Sequence, residues 1–303
     1  MSGSLLEIRK KIAGVKNTRK ITKAMQLVAA SKMRQFQKRA LSVRHYVWDL
    51  FAILEDNLET NFRSVFTEKR TEGKTLFVLY TSDKGLCGPL NNKLNNALYR
   101  SDKWNALSDD EKMLVTIGKK SYDYARHRHI PVSKHYSGIP ERLSFVDMFP
   151  VVEGILKLWR EEKIKEVVFI APHYKNSFTF YPILKTFLPF SEATIASAMG
   201  PLEEHEKPAR KAKKEFDEKI IYEPSKPVIL ERLYEQLVQS LFTQSFLELK
   251  ASEYSSRMIA MQNATDAADR ITTDLTRDYN KARQSVITRE LAELMGASDA
   301  ITS

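Results

Sequence analysis

The chain has one cysteine, Cys87, among its 303 residues. An intramolecular disulfide and a thiolate metal site are therefore both excluded. No apolar run approaches the ~20 residues that a bilayer-spanning helix needs. The opening MSGSLLEIRKK has no apolar stretch of the kind a secretory signal carries, so a cytoplasmic compartment is expected. The six histidines show no metal-ligand spacing: His127 and His129 lie two apart on an expected helix and would face different sides. The acid pairs Asp109-Asp110 and Glu161-Glu162 read as surface charge, and no Ser/His/Asp arrangement stands out. Cys87 follows a glycine-rich turn, but a lone cysteine usually behaves as a small buried hydrophobe. Catalysis, a bound metal and a cofactor are not expected.

Glycine and proline are missing from two long stretches. Neither occurs from Val15 to Glu72, nor from Val228 to Met295. Both residues interrupt helices, by backbone entropy or by a lost N–H. As one helix the second stretch would run about 100 Å at 1.5 Å per residue. Ser225 and Pro227 mark its expected start and Gly296 its expected stop. Apolar residues recur within it at steps of three and four: Met261, Ala264, Ala268, Ile271, Leu275, Tyr279, Ala282 and Val286. This is a narrow coiled-coil seam, which a lone helix cannot bury. The first stretch keeps the same rhythm through Ile8, Ile12, Val15, Thr22, Met25, Ala29, Met33, Phe36, Ala40, Val43, Val47, Leu50 and Leu54. Two such helices bracketing one folded body are expected to pair antiparallel.

Acidic residues are scarce at the N-terminal end. Residues 1–45 hold twelve basic side chains and one acid, Glu7, so the net charge of +10 lies almost wholly there. A basic collar of this kind calls for an acidic partner, whether nucleic acid, anionic lipid or an acidic protein loop. Charge alone leaves a merely solvated face equally open.

The middle changes character. Apolar, β-branched runs at Thr75–Thr81, Met113–Ile117, Val132–Ser137, Val167–Ala171 and Phe178–Leu188 read as strands. Helical patterns lie between them: one opened by Pro89, one over Lys119–Arg128, one near Asp147–Lys163. Alternation of this sort predicts a small, parallel, Rossmann-like α/β domain. Residues 203–219 are strongly charged and read as a solvated loop or frayed helix, and Ile220-Ile221-Tyr222 as a possible edge strand. The phosphate motifs of such folds fail. DKGLCG lacks the G-x-G-x-x-G spacing. Gly73-Lys74-Thr75 has Glu68 where a P-loop needs its first glycine and precedes the strand. Gly118-Lys119-Lys120-Ser121 has Met113 in that place. The organisation expected is 1–58 as an N-terminal coiled-coil helix, 74–200 as the α/β domain, 201–225 as a charged segment with the edge strand, and 226–303 as the C-terminal helix.

Four stretches carry a resemblance. ITKAMQLVAASKMR at Ile21–Arg34, MIAMQNATDAADRI at Met258–Ile271, YNKARQSVITRELAEL at Tyr279–Leu294 and TSDKGLCG at Thr81–Gly88 closely resemble the γ subunit of F-type ATP synthases. The match covers both terminal helices and the first strand–loop of the middle domain; residues 100 to 225 carry no recognised motif. The resemblance implies a non-catalytic rotor shaft that couples turning of an ion-driven c-ring to conformational cycling of catalytic β subunits. It implies as partners three α and three β subunits, the ε subunit and the c-ring, with no nucleic acid. Contact with the membrane would be peripheral, through the c-ring, and lacking a transit peptide the chain is expected on the cytoplasmic face of a bacterial inner membrane. Carried over by motif, Met25, Lys32, Arg34, Arg257, Gln284, Thr288 and Glu290 would meet the β subunit. Asp83, Lys84 and Cys87 would form a contact loop at the foot. Leu291, Leu294 and Met295 would form an apolar tip seated in a bearing. A basic coiled-coil protein that binds nucleic acid is one competing reading; it would explain the charge but neither the apolar tip nor the α/β insertion. A nucleotide-dependent enzyme built on the middle domain is the other, weakened by the failed phosphate motifs.

Overall fold

The computed structural model describes residues 2–57, 64–140, 145–161, 163–176, 179–191 and 222–302. The elements run α1 (Ser2–Asn57), β1 (Lys74–Tyr80), α2 (Leu90–Tyr99), α3 (Asp102–Asn105), β2 (Lys112–Ile117) and α4 (Lys119–His127). Then follow β3 (Lys134–Tyr136), α5 (Phe145–Arg160), β4 (Ile164–Asn176), β5 (Thr179–Leu188) and α6 (Lys226–Thr302). The chain divides into two compact units, residues 1–30 with 257–303 and residues 31–256, so that both long helices contribute to both. The architecture matches the expected one, two long terminal helices and an inserted α/β domain.

In the first unit the two helices pair antiparallel. Arg19 is ion-paired with Asp269, and the hydroxyls of Thr22 and Thr265 meet at 2.8 Å, so residue numbers rise on one helix as they fall on the other. On α6 the covered positions include Met261, Thr265, Ala268, Thr272, Leu275, Tyr279, Ala282 and Val286, in alternating steps of four and three, with Ala264 half-buried beside them. Ile271, assigned to this seam from sequence, is instead 48% exposed. Thr272 takes its place. The hydroxyls of Thr265 and Thr272 donate to the carbonyls of Met261 and Ala268 one turn back, both at 2.8 Å. A threonine satisfied this way leaves its methyl for packing. On α1, Met25 is likewise outside the seam, with Thr22 and Ala29 buried on either side of it. Gly296 does not stop α6, which continues to Thr302. A helical glycine costs about 1 kcal/mol relative to alanine, which a long helix tolerates.

The second unit is built on a sheet of strand order β3-β2-β1-β4-β5. The three pairings among β1 to β4 are parallel, but β4 and β5 are antiparallel, so the sheet is mixed instead of all parallel. The reason is the connection. Only two residues separate Asn176 from Thr179, and a parallel neighbour would need a crossover of a dozen or more. β3 is shorter and β4 longer than the sequence implied. α4 ends at His127, and His129 lies beyond it with φ 55°. Tyr222 lies outside any strand, while Ile220, Ile221 and residues 203–219 fall outside the described residues.

Residues Thr75–Tyr80 of β1 are all buried, as expected for a strand covered on both faces. Phe77 and Leu79 belong to a core with Leu90, Leu94 and Leu98 of α2 and with Trp104. The opposite face meets α6. Tyr80 packs edge-on against Phe246 at 5.1 Å between centroids and Phe169 edge-on against Phe242 at 5.6 Å, while Phe187 lies tilted against Phe242 at 4.0 Å. Phe36 of α1 stacks on Tyr254 at 5.5 Å. Aromatic pairs at these separations add about 0.5–1.5 kcal/mol each beyond the area they bury.

Candidate partner-contact surfaces

The surfaces named from sequence fall into four groups. On α1 within the first unit, Met25 is 42% exposed. Ile21 and Val28 are exposed as well, and spacings of four and three put all three on one helix face, an uncovered apolar stripe. In the second unit, Lys32 is half-buried and Arg34 exposed. Residues two apart on a helix are turned by about 200°, so these two charges do not face one partner together.

On α6, Ala282 and Val286 are half-buried and Gln284, Thr288 and Glu290 exposed. The Thr288 hydroxyl donates to the Gln284 carbonyl at 3.0 Å, which fixes its rotamer and leaves the oxygen's lone pairs outward. Arg257 is half-buried. Toward the end of the helix Ile287, Leu291, Leu294 and Met295 are exposed, the last by 70%. Large apolar side chains at i, i+4 and i+7 that none of the described residues covers are the mark of a docking face.

The loop after β1 is different, because most of its polar atoms are engaged within the chain. Asp83 accepts from the backbone N–H of Lys119 at 2.9 Å through Oδ1 and from that of Gly138 at 3.2 Å through Oδ2. Ser82 Oγ donates to the carbonyl of Lys84 at 2.7 Å. Cys87 is 2% exposed, receives a contact from Asn91 Nδ2 on its Sγ at 3.2 Å, and accepts from Ser256 Oγ of α6 on its carbonyl at 2.7 Å. Lys84 and Leu86 are exposed at the crest, Leu86 with φ 63°. The first turn of α4 shows the same self-sufficiency. The N–H of Lys120 donates to the Ser82 carbonyl and that of Ser121 to Thr81 Oγ1 at 2.6 Å. Gly118 is required at the approach: its φ is 95°, and an added Cβ would stand 1.9 Å from the Thr81 carbonyl oxygen.

Between the sheet and α6 lies a buried polar network. Tyr80 donates to Glu253 Oε2 at 2.9 Å, and Lys250 pairs with the same oxygen at 3.0 Å. Burial first, then the Glu253 charge, pushes the Tyr80 phenol well above its usual value. Glu248 is held above the ordinary carboxyl range by burial, against the pull of the Gln244 amide at 3.2 Å and of Lys185 and Arg44. The same desolvation lowers Lys185. Among the described residues no group of three or more His, Cys, Asp or Glu is placed to hold a metal ion, and no helix is long and apolar enough to cross a membrane.

A family model described as ATP synthase matches residues 4–301. The chain is 33% identical over 300 residues to an ATP synthase gamma chain of Geotalea uraniireducens, covering 98% of this chain and 99% of the relative. It is 30% identical to an ATP synthase gamma chain of Streptococcus mutans, covering 99% and 100%. It belongs to the ATP synthase gamma-chain family. Among solved structures, a chain of the Euglena gracilis mitochondrial ATP synthase assembly of OSCP, F1 and c-ring aligns with a TM-score of 0.66 at 19% identity, covering 99% of this chain and 95% of that one. A chain of the Tetrahymena thermophila mitochondrial ATP synthase central stalk and c-ring aligns with a TM-score of 0.57 at 25% identity, covering 80% and 99%. For a gamma chain, the residues that sequence reasoning missed are instructive. Ile21, Val28 and Ile287 are exposed apolar side chains on helices. Their signal lies in the sequence, since each is a large apolar residue off the three-and-four seam.

Proposed function

We propose that this chain is the central rotor shaft of a proton- or ion-driven F-type ATP synthase. It couples turning of the c-ring to conformational cycling of three catalytic β subunits and is not itself catalytic. Its partners are the three α and three β subunits, the ε subunit and the c-ring, and it is peripheral to the cytoplasmic face of a bacterial inner membrane. The observation that carries this reading is full-length similarity to gamma chains of ATP synthases, together with the likeness to a central-stalk chain. The surfaces fit a part that works by contact. The exposed faces of Met25, Lys32, Arg34, Arg257, Gln284, Thr288 and Glu290 meet the β subunits, and Leu291, Leu294 and Met295 seat the tip of α6 in an apolar bearing. At the foot, Asp83 and Cys87 brace the loop from within, so contact there falls on Lys84 and Leu86. The nucleic-acid reading finds no support in the relatives.

The test is assembly. Affinity purification of the tagged chain from its own cells should bring down α, β and ε subunits in fixed stoichiometry, with ATP turnover in the assembly and none in the isolated chain. Recovery of nucleic acid without those subunits would overturn the proposal.

A further inference from the structure

The crest of the loop after β1 holds a conformation that its own residues do not favour. Leu86 stands at φ 63° with its side chain 60% exposed, and Gly88 follows at φ 57°. A left-handed conformation at a bulky residue is strained and persists only where the surroundings impose it. Much of what surrounds the crest travels with it. Ser82 Oγ donates to the Lys84 carbonyl at 2.7 Å, and Asn91 Nδ2 meets Cys87 Sγ at 3.2 Å. Ser82 belongs to the loop itself, however, and Asn91 to the helix that follows it. Asp83 ties the near side of the loop to Lys119 of α4 and to Gly138. Next to the strained residue the tie comes from α6: Ser256 Oγ donates to the Cys87 carbonyl at 2.7 Å. Both partners lie in the second unit, and Ser256 is buried.

This bond differs from the other hydroxyl bonds of its helix. On α6 the hydroxyls of Thr265, Thr272, Thr273, Thr276 and Thr288 turn back to the carbonyl four residues earlier. Such bonds stay within the helix and join it to nothing else. Ser256 sends its hydroxyl outward, onto another element. One turn earlier Ser252 is buried as well, yet its Oγ has no partner among the described residues. Burial of a serine on this helix therefore does not by itself make a bond to the loop; the placement of Ser256 does. We propose that Ser256 is a positioning residue for the foot contact, its hydroxyl latching the loop after β1 to α6 and so fixing how Lys84 and Leu86 are presented. The proposal rests on the reading of Lys84 and Leu86 as that contact. A sideways load on Leu86 then passes through the Cys87 carbonyl directly into α6, instead of being absorbed by a loop that yields.

The experiment uses Cys87 as its reporter. It is the chain's one cysteine and is 2% exposed, so N-ethylmaleimide reaches its thiol when the loop opens. In the full-length chain Ser256→Ala should label roughly five- to tenfold faster than wild type, the effect of losing one buried hydrogen bond. The labelling rate should depend on urea less steeply than global unfolding does, the mark of a local opening. Ser252→Ala removes an unpaired hydroxyl of the same size from the same helix and should label at the wild-type rate. In the reconstituted assembly, ATP synthesis driven by an ion gradient should fall severalfold for Ser256→Ala and stay at the wild-type level for Ser252→Ala. The proposal is overturned if Ser256→Ala labels at the wild-type rate, if Ser252→Ala labels as fast as Ser256→Ala, or if the acceleration carries the urea slope of global unfolding. It is overturned too if Ser256→Ala labels faster while its assembly keeps wild-type synthesis. Failure of the rotor reading shows separately, in the subunits recovered with the tagged chain.

Discussion

At the scale of single residues, Glu253 gathers the polar atoms buried between the sheet and α6. Two donors from different elements share one of its oxygens, the Tyr80 phenol and the Lys250 ammonium. Removing one partner of a buried pair leaves the other charge uncompensated, which costs about 3–5 kcal/mol. Glu253→Ala should therefore lose stability on that scale in urea unfolding of the full chain. Tyr80→Phe, which removes one neutral donor, should lose only about 1 kcal/mol. Equal losses in the two variants would show that Lys250 contributes nothing. Glu248 makes a different prediction. Its carboxyl is raised in the folded chain, chiefly by burial. The folded state therefore binds that proton more tightly than the unfolded chain. Its contribution favours folding below the ordinary carboxyl value and is lost as pH climbs through the raised folded value. The melting temperature of Glu248→Gln minus that of wild type should accordingly grow across that window, and a flat or falling difference in calorimetry would contradict the assignment.

At the scale of elements, α6 separates residues that hold it from residues that face outward. Gln284→Ala with Thr288→Ala touches only exposed positions. It should leave helicity and melting temperature within experimental error, while assembly with the α/β ring, or coupled ATP turnover, falls. A melting temperature lower by several degrees would mean that these side chains pack. Thr22→Val paired with Thr265→Val should be nearly neutral, because two apolar isosteres replace two hydroxyls whose remaining bonds go to carbonyls of their own helices, whereas either change alone leaves the other hydroxyl facing a methyl. The same helix shows what a sequence makes legible. Helix length and antiparallel pairing followed from absent glycine and proline and from the period of the apolar residues. The seam itself was misassigned at Ile271 because hydropathy ranks isoleucine above threonine, and nothing local says that Thr272 will turn its hydroxyl onto Ala268. Sheet membership was legible from apolar runs, yet the direction of β5 was set by the length of the turn before it. Within the contact surfaces, motif placed Gln284 and Thr288 on the outward face, and helical angle alone agrees. The engagement of Asp83 with Lys119 and Gly138 depends on residues 36 and 55 positions away in sequence, and no local pattern could announce it.

At the scale of the whole molecule, two outcomes bear on the rotor reading. The isolated chain should neither bind nor hydrolyse ATP, since the N–H groups of the first turn of α4 that would cradle a phosphate already donate to Asp83, Ser82 and Thr81. Calorimetric titration of full-length chain with ATP checks this, and micromolar binding would refute it. Arg34→Glu reverses an exposed charge between two good helix formers. It should keep the fold and weaken coupling to an acidic partner most at low salt, where screening is least. Unchanged ATP synthesis at low ionic strength would make Arg34 ordinary solvated surface. Asp83 has a mechanical meaning too. A bound phosphate would join the loop after β1 to α4 only while it stayed, and the joint would slacken whenever it left. A carboxylate tethered to the backbone never dissociates, so the bracing of this domain is indifferent to how much ATP, ADP or phosphate surrounds it. A part that must transmit torque in a fluctuating pool of its own product's precursors then keeps the same stiffness in a starved cell as in a fed one.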